Sequence, residues 1–343
     1  EFDFQVPAIV MLAFCIGIAW YYSYVDVQLA TVLMLITELA ATSVILLLAY
    51  LVFAQHGFQL DMEQLTLADA TPSGISLGMV IAIFSYVGFE SAATLGDETK
   101  VPFQSIPRAM IVSAMLSGLF FIVLAYAEVL GFRDSAVPLN ESPDPLGTLA
   151  SLTGVQLLGV GLNLGIAFSF FSACLASLNA GSRIAYALAR HRFLPSALGE
   201  AHKHNKTPHV AISLIVVGMF LVTSLMSLLG IPAILIFSYL GTISTYGFLT
   251  AYLLISIAAP VYLARQGQLR LQHLIISLLA GFFMILPIAS SFYPVPAFPF
   301  NVFPYLFLLY LAAGAWFFRS RHHRPQIAKN IERDFDPQKK LIG

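Results

Sequence analysis

Two acidic residues lie within long apolar stretches of the sequence and could do chemistry there. Glu90 ends the segment F-S-Y-V-G-F-E, and Glu38 lies within L-I-T-E-L-A-A-T-S-V. A charged carboxylate at the centre of a bilayer costs roughly 3 kcal/mol on insertion scales, so such a group is either neutral or paired. A carboxyl group that alternates between these states can couple proton movement to another process, whereas one that stays hydrogen-bonded only joins helices. Both interpretations stay open for each residue.

Gly88 precedes Glu90 within the same apolar run. Glycine weakens a helix, and the backbone groups that it frees are tolerated at membrane depth only where protein or a water-filled cavity surrounds them. The combination of a glycine and a carboxylate therefore indicates that residues 84–108 are a functional segment. A helix that only faces lipid would have little reason to contain both.

The composition is that of an integral membrane protein. Of 343 residues, 58% are hydrophobic and 10% are charged, and the mean hydropathy is +0.83, whereas soluble domains have roughly 25% charged residues. The net charge of −1 argues against nucleic acid as a partner. Cys15 and Cys174 are too few for a disulfide framework or a metal site, and we expect no metal and no cofactor.

The lengths of the apolar runs predict nine membrane-spanning helices. No charged residue lies between His209 and Arg265, and one helix of that length would extend on the order of 80 Å against a hydrocarbon core of roughly 30 Å. Gly230 and Pro232 supply the turn that divides this run. The predicted spans are 7–24, 29–53, 76–95, 108–131, 157–188, 210–229, 233–263, 271–290 and 303–318, and a polar tail follows at 319–343.

The distribution of basic residues predicts the orientation. With nine spans, most basic residues lie on one side of the membrane. They are Lys100, Arg108, Arg190, Arg192, Lys203, Lys206, Arg265, Arg270, Arg319, Arg321, Arg324 and Lys329. That side, with the C-terminal tail, is cytoplasmic by the positive-inside rule. The opposite loops are acidic, with Arg133 as the basic exception. The first residue then lies outside, without a Met or a signal peptide, so we expect that the beginning of the protein is missing.

Three stretches resemble the amino acid–polyamine–organocation transporter superfamily. Residues 84–108, followed by Ala109, resemble its sixth helix and next loop, with an F-x-x-x-G-F-E-like segment, an acidic turn and I-P-R-A at 106–109. Residues 177–195 look like the eighth helix with S-R-x-x-Y-A-L-A-R, and 240–263 are similar to the tenth. The resemblance implies an all-α integral membrane protein with the leucine-transporter-like inverted-repeat fold, of which about nine of an expected twelve helices, the fourth to the twelfth, are present.

In such a fold the third span is broken near Ser85 to Phe89, and the break binds the substrate. The resemblance implies that backbone carbonyls near the break hold the ammonium group of an amino acid, while its carboxylate binds a helix that this sequence does not show. The implied substrate-binding residues are Phe84, Ser85, Tyr86, Val87, Gly88 and Phe89. The aromatic members could equally serve only in packing.

Glu90 and Glu38 are the implied coupling residues. Several members of the superfamily have a lysine near the position of Glu38, and the acid here could bind a proton, pair with a cation or serve in packing. Hydroxyls at Ser169, Ser172 and Ser177 could serve a sodium site, although helix packing is the favoured interpretation. We interpret Glu128 as interfacial. The histidines His191, His202, His204 and His209 are interpreted as a solvated loop.

The sequence therefore predicts a secondary active transporter for amino acids or related amines in the plasma membrane, and not an enzyme. Its partners would be the small-molecule substrate, the lipid bilayer and protons, with proton coupling or exchange favoured over sodium. No G-x-x-x-x-G-K-[ST] loop is present, which argues against an ATP-driven pump. A membrane-embedded enzyme and a truncated fragment that transports nothing are the alternatives.

Overall fold

The computed structural model describes residues 8–25, 27–66, 70–142, 144–293 and 295–320, and within these ranges the chain is helical. The helices are α1 Ala8–Val25, α2 Val27–Gln55, α3 Pro72–Tyr86, α4 Pro102–Phe132, α5 Pro145–Leu152, α6 Gln156–Arg190, α7 His209–Leu228, α8 Ala233–Arg265, α9 Leu271–Ser290 and α10 Phe303–Ser320. Short 3₁₀ helices lie at Met62–Leu65, Phe89–Glu98, Leu139–Glu141 and Ser196–Gly199. Apart from Arg319 and Ser320, the predicted tail lies outside the described residues.

Proline and glycine set several of these helix ends. Pro102 and Pro145 lie in the first turns of α4 and α5, where the missing N–H costs nothing. The carboxylate of Asp144 then caps α5 by accepting a hydrogen bond from the Gly147 N–H at 3.0 Å. Gly230 has φ 78° just after α7, so the uncharged run after His209 forms two helices, with α8 starting at Ala233.

The long helices have the composition and surface of membrane spans. In the described part of the chain, α2, α4, α6, α7, α8 and α9 contain segments that are long and apolar enough to cross a bilayer, and α1 and α10 contain shorter apolar segments. Large apolar side chains point outward along them, such as Met115 at 71% and Leu157 at 83% exposure. A soluble bundle would bury such side chains. The chain is therefore a multi-pass membrane protein.

The chain divides into two compact units, with changes of unit after Leu67, Val87 and Leu225. The first unit contains α1, α2, α4, α5, α6 and most of α7. One of its cores joins α2, α4, α5 and α6 around Leu48, Val52, Leu130, Leu149 and Leu162. The second unit contains α3, α8, α9 and α10, and its core is formed around Tyr246, Leu249, Phe303 and Phe307.

Candidate functional site

The segment that the sequence implicates in substrate binding contains a break in the helical backbone. Helix α3 ends at Tyr86, and Val87 leaves the helical conformation with φ −57° and ψ 129°. Gly88 follows with φ 121° and ψ −21°. An L-residue is strained at that φ, although a Cβ built on Gly88 would meet no atom within 4 Å. The backbone conformation, and not a lack of space, is therefore what requires glycine here.

The chain continues after the break as a 3₁₀ helix, Phe89–Glu98. Ten residues are long for this geometry, because 3₁₀ helices beyond three or four residues are uncommon and often mark a hinge or a strained sequence. The Gly88 N–H donates to Oε2 of Glu90 at 3.1 Å. The carboxyl group of Glu90 thus accepts a hydrogen bond from the backbone at the break.

Phe84 packs against α8 within the second unit. Its ring centroid lies 5.9 Å from that of Phe237, and a Cβ built on Gly241 would lie only 2.8 Å from its Cζ. Glycine at position 241 therefore makes room for the Phe84 ring. This contact supports a packing role for Phe84, which the sequence left open beside a role in the binding pocket.

The other residues of the segment differ in exposure. Ser85 and Gly88 are exposed, whereas Tyr86, Val87 and Phe89 are half-buried. Phe84 to Val87 belong to the second unit, and Gly88, Phe89 and Glu90 to the first. The break in the helix is thus also the point at which the chain passes from one unit to the other.

Glu38 meets a hydroxyl group on a neighbouring helix. Ser169 of α6 donates to the Glu38 carboxyl group, with oxygen distances of 3.0 and 3.3 Å to Oε2 and Oε1. One turn away, the hydroxyl groups of Thr37 and Ser172 lie 2.6 Å apart. Two of the three serines considered for a sodium site therefore bridge α6 to α2. Glu38 and Glu90 hydrogen-bond to different parts of the first unit.

Small residues allow α2 and α6 to approach closely enough for these bonds. In order along α6 the contacts are Gly161 with Val44, Gly165 with Ala41, Ser169 with Glu38 and Ser172 with Thr37. The numbers rise on one helix and fall on the other, so the helices are antiparallel. A Cβ on Gly165 would lie 3.3 Å from the Cα of Ala41. This spacing of small residues is the usual way in which membrane helices pack tightly.

Comparison with known proteins agrees with this architecture. A family model described as "Amino acid permease" matches residues 4–324. The chain belongs to this family. The match confirms the resemblance to the amino acid–polyamine–organocation superfamily, and it favours the transporter interpretation over a membrane-embedded enzyme.

Individual relatives of this permease-family chain are distant. It is 28% identical over 200 residues to the branched-chain amino acid permease BcaP of Lactococcus lactis, a match that covers 57% of the chain and 40% of that protein. It is 28% identical over 233 residues to the low-affinity putrescine importer PlaP of Escherichia coli, covering 63% and 50%. An uncharacterized transporter of Rhizobium meliloti is 27% identical over 226 residues, covering 63% and 46%. The chain thus spans about half the length of these relatives or less.

An ion-pair cluster that the sequence analysis missed joins the loop after α2 to the end of α4. The guanidinium of Arg133 lies 2.6 Å from the carboxylate of Asp61 and 2.7 Å from that of Glu63. The hydrogen bond from Gln64 and the positive charge of Arg133 hold the pKa of Asp61 below its ordinary value. Arg133, which is the basic exception among the acidic loops, is therefore neutralised locally. The available signal was that Asp61 and Glu63 belong to the acidic loops on the same predicted side as Arg133.

The predicted histidine loop of this family member is packed and not merely solvated. The His202 ring lies 5.3 Å from that of His209 and 5.3 Å from that of Tyr24. Asn205 and Thr207 donate side-chain hydrogen bonds to the Tyr24 carbonyl. The loop therefore ties the end of α1 to the start of α7. Among the described residues, no three His, Cys, Asp or Glu side chains are placed to hold a metal ion.

Proposed function

We propose that this chain is part of a secondary active transporter that moves amino acids or related amines across the plasma membrane by alternating access. The observation that supports it most is the glycine-dependent helix break at Val87 and Gly88, in a chain whose family model is that of amino acid permeases. Relatives named as permeases for branched-chain amino acids and importers of putrescine support a substrate with an amino group. Both kinds of substrate share a positively charged nitrogen.

The break offers groups that suit such a substrate. The last turn of α3 directs carbonyl oxygens beyond the helix end, where the helix dipole is negative. Each carbonyl oxygen has two lone pairs, so those of Phe84 to Val87 can accept from an ammonium group. In this proposal Phe84, Ser85, Tyr86, Val87, Gly88 and Phe89 form the substrate-binding segment, and the half-buried aromatic rings of Tyr86 and Phe89 shape it.

Glu90 is the proposed coupling residue. As a carboxylate it accepts a charge-assisted hydrogen bond from the Gly88 N–H, and protonation would weaken that bond because a neutral carboxyl group is a poorer acceptor. A proton on Glu90 would therefore loosen the start of the 3₁₀ helix next to the substrate segment. Glu38, held by Ser169, is the second candidate for coupling.

The proposed orientation follows the positive-inside pattern of the sequence, with the C-terminus in the cytoplasm. The Arg133 cluster supports it, because the basic residue on the acidic side is paired with Asp61 and Glu63. In this orientation the ends of α2 and α4 near His56 and Asp134 face away from the cytoplasm.

Uptake of labelled amino acids and polyamines into proteoliposomes containing the full-length protein tests the proposal, with and without an inward proton gradient. We expect saturable uptake of at least one compound that the gradient stimulates and that Glu90→Gln abolishes. Glu141→Gln is the matched control, because Glu141 is exposed in a loop of the same unit. Uptake without a gradient that requires substrate on the other side would indicate exchange. Failure to take up any compound would contradict the amino acid and amine assignment.

A further inference from the structure

Glu128, which is half-buried, lines an otherwise apolar pocket of the first unit. The other residues that line this pocket are apolar and come from α2, α4 and α5, among them Leu48, Val52 and Leu149. Its free space is about 10 Å³, which is at the lower limit for one water molecule, and a buried water needs more than one polar partner. Glu128 makes no hydrogen bond or ion pair with the residues that the structure describes.

A larger and more polar cavity adjoins this pocket. It has a volume of about 170 Å³, which is enough for several water molecules. Gln55, His56 and Asp134 supply its polar groups. Val52 and Leu149 line both the cavity and the Glu128 pocket. These two apolar side chains therefore form a wall that the cavity shares with the pocket that Glu128 lines.

His56 lies between two oxygen acceptors at this cavity. Its Nδ1 lies 2.8 Å from the Val52 carbonyl oxygen, and its Nε2 lies 3.2 Å from a carboxylate oxygen of Asp134. The second contact is an ion pair by distance and is not aligned as a hydrogen bond. Both ring nitrogens therefore lie close to oxygen acceptors.

Charge in the Glu128 pocket itself would be uncompensated. No other side chain that lines it is charged or titratable. The charged groups at this end of the surrounding elements are His56, Asp134, Arg133 and Asp144, and each is engaged elsewhere: the first two with each other, Arg133 with Asp61, and Asp144 with the start of α5. A carboxylate among apolar side chains is costly unless it is paired or well hydrated, so the neutral acid is the form that this pocket favours.

We propose that Glu128 is a proton-binding residue that exchanges its proton with water through the cavity beside His56 and Asp134. A hydronium ion in the cavity transfers its proton to the Glu128 carboxylate and leaves as water, and the reverse step releases the proton. This site is additional to Glu90 and Glu38. Proton binding by Glu128 is independent of the proposed substrate, and only a part in coupling would rest on the proposed function.

Carbodiimide labelling tests the protonation of Glu128 without any substrate. A protonated carboxyl group gives its proton to a nitrogen of the carbodiimide, and its oxygen adds to the central carbon. Acyl transfer then leaves an N-acylurea with the mass of the whole reagent. The full-length protein in liposomes is treated with apolar dicyclohexylcarbodiimide or with a water-soluble carbodiimide from about pH 5 to about pH 9, and labelled peptides are identified by mass spectrometry.

We expect the apolar reagent to label Glu128, with labelling that declines as the pH rises, and the water-soluble reagent to leave it unlabelled. Exposed Glu141 should show the opposite preference for the two reagents. Absence of Glu128 labelling by the apolar reagent at every pH, or labelling that does not change with pH, would overturn the assignment. Because no transport is measured, this outcome is distinct from failure of the proposed function.

Time-resolved infrared spectroscopy after a pH jump tests whether protons reach Glu128 through the cavity beside His56. The band of the protonated carboxyl group is assigned to Glu128 by its loss in Glu128→Gln. We expect its appearance to be slower in His56→Phe, which keeps a ring but removes both nitrogens, and unchanged in His204→Phe, since His204 is exposed in the loop before α7. An unchanged rate in His56→Phe would overturn the route through the cavity.

Discussion

Glu38 of α2 and Glu128 of α4 lie on membrane-spanning helices of the same unit, but their surroundings differ in every respect that matters to a carboxyl group. Glu38 accepts a hydrogen bond from Ser169 on a helix that small residues bring close. Glu128 is half-buried and lines a pocket whose other side chains are all apolar, with a free space of about 10 Å³. Both residues lie in long apolar stretches, although Glu128 is closer in sequence to charged residues, Arg133 and Asp134. The side chains of the neighbouring helices therefore distinguish Glu38, which joins two helices, from Glu128, which we propose binds protons.

The largest effect is expected from removing the close contact between α2 and α6. Gly165→Leu would place a side chain against the backbone of Ala41, where a Cβ alone would lie 3.3 Å from its Cα. The backbone cannot move aside as a flexible side chain can. We therefore expect the free energy of unfolding to fall by about 3 kcal/mol or more, which is at the upper end for overpacked sites. The free energy of unfolding in mixed micelles measures it.

Gly218→Leu is the control for this substitution. Gly218 is an exposed glycine within α7, and a Cβ there would meet nothing within 4 Å. It should therefore tolerate leucine without loss. Equal destabilisation by both substitutions would show that the contact with Ala41 has no special part in stability.

Replacing each acid by leucine tests the comparison directly. Glu128→Leu should raise the free energy of unfolding by about 1–3 kcal/mol, because a polar group without a partner is removed from an apolar pocket. Glu38→Leu should lower it, because the hydroxyl of Ser169 loses its acceptor. Thermal unfolding of the purified variants measures whether each substitution raises or lowers the free energy of unfolding. A stabilising effect of Glu38→Leu would show that its hydrogen bond contributes nothing.

Much of the helical architecture could be predicted from the sequence, because apolar length and charge define membrane helices. The predicted span 271–290 coincides with α9, and α8 begins at Ala233 as expected from Gly230 and Pro232. The short helix α5 was missed inside a predicted loop, since its eight residues are too few for a span. The extension of α4 back to Pro102 was also missed, since helix ends outside the bilayer leave no trace in hydropathy.

The candidate site was predictable only where the backbone itself decides the structure. Gly88 and Glu90 could be singled out together, because a glycine and an acid in an apolar run are unusual on any helix. The Glu128 pocket could not be found, since residues from three elements line it. The pairing of His56 with Asp134 likewise joins residues far apart in sequence. Such side-chain contacts depend on tertiary packing, which a single sequence does not reveal.

A double-mutant cycle measures the strength of the hydrogen bond between Glu38 and Ser169. Glu38→Leu, Ser169→Ala and the double variant should give a coupling energy of about 0.6 kcal/mol, the average for hydrogen bonds between membrane helices, with an upper limit of about 1.7 kcal/mol. The free energy of unfolding of the four proteins measures it. The same cycle with Ser177→Ala is the control, because Ser177 is exposed on the same helix. Equal coupling in both cycles would contradict a specific bond to Ser169.

Asp61 extends the comparison to a carboxyl group in water, where the expected effect is smallest. Its partners Gln64 and Arg133 lower its pKa from the ordinary 3.8. A group whose folded-state pKa is depressed stabilises the fold above its ordinary pKa and loses that contribution as the pH falls through the lower folded value. The stability difference between the native protein and Arg133→Gln should therefore be constant from about pH 8 to about pH 5 and shrink below about pH 4. Thermal unfolding of both proteins across this range measures it, with Glu141→Gln as the control. A difference that changes between neutral pH and pH 5 would mean that Arg133 acts on the stability through a group other than Asp61. Asp61 would then no longer be an independent example of a carboxyl group stabilised by its partners in water.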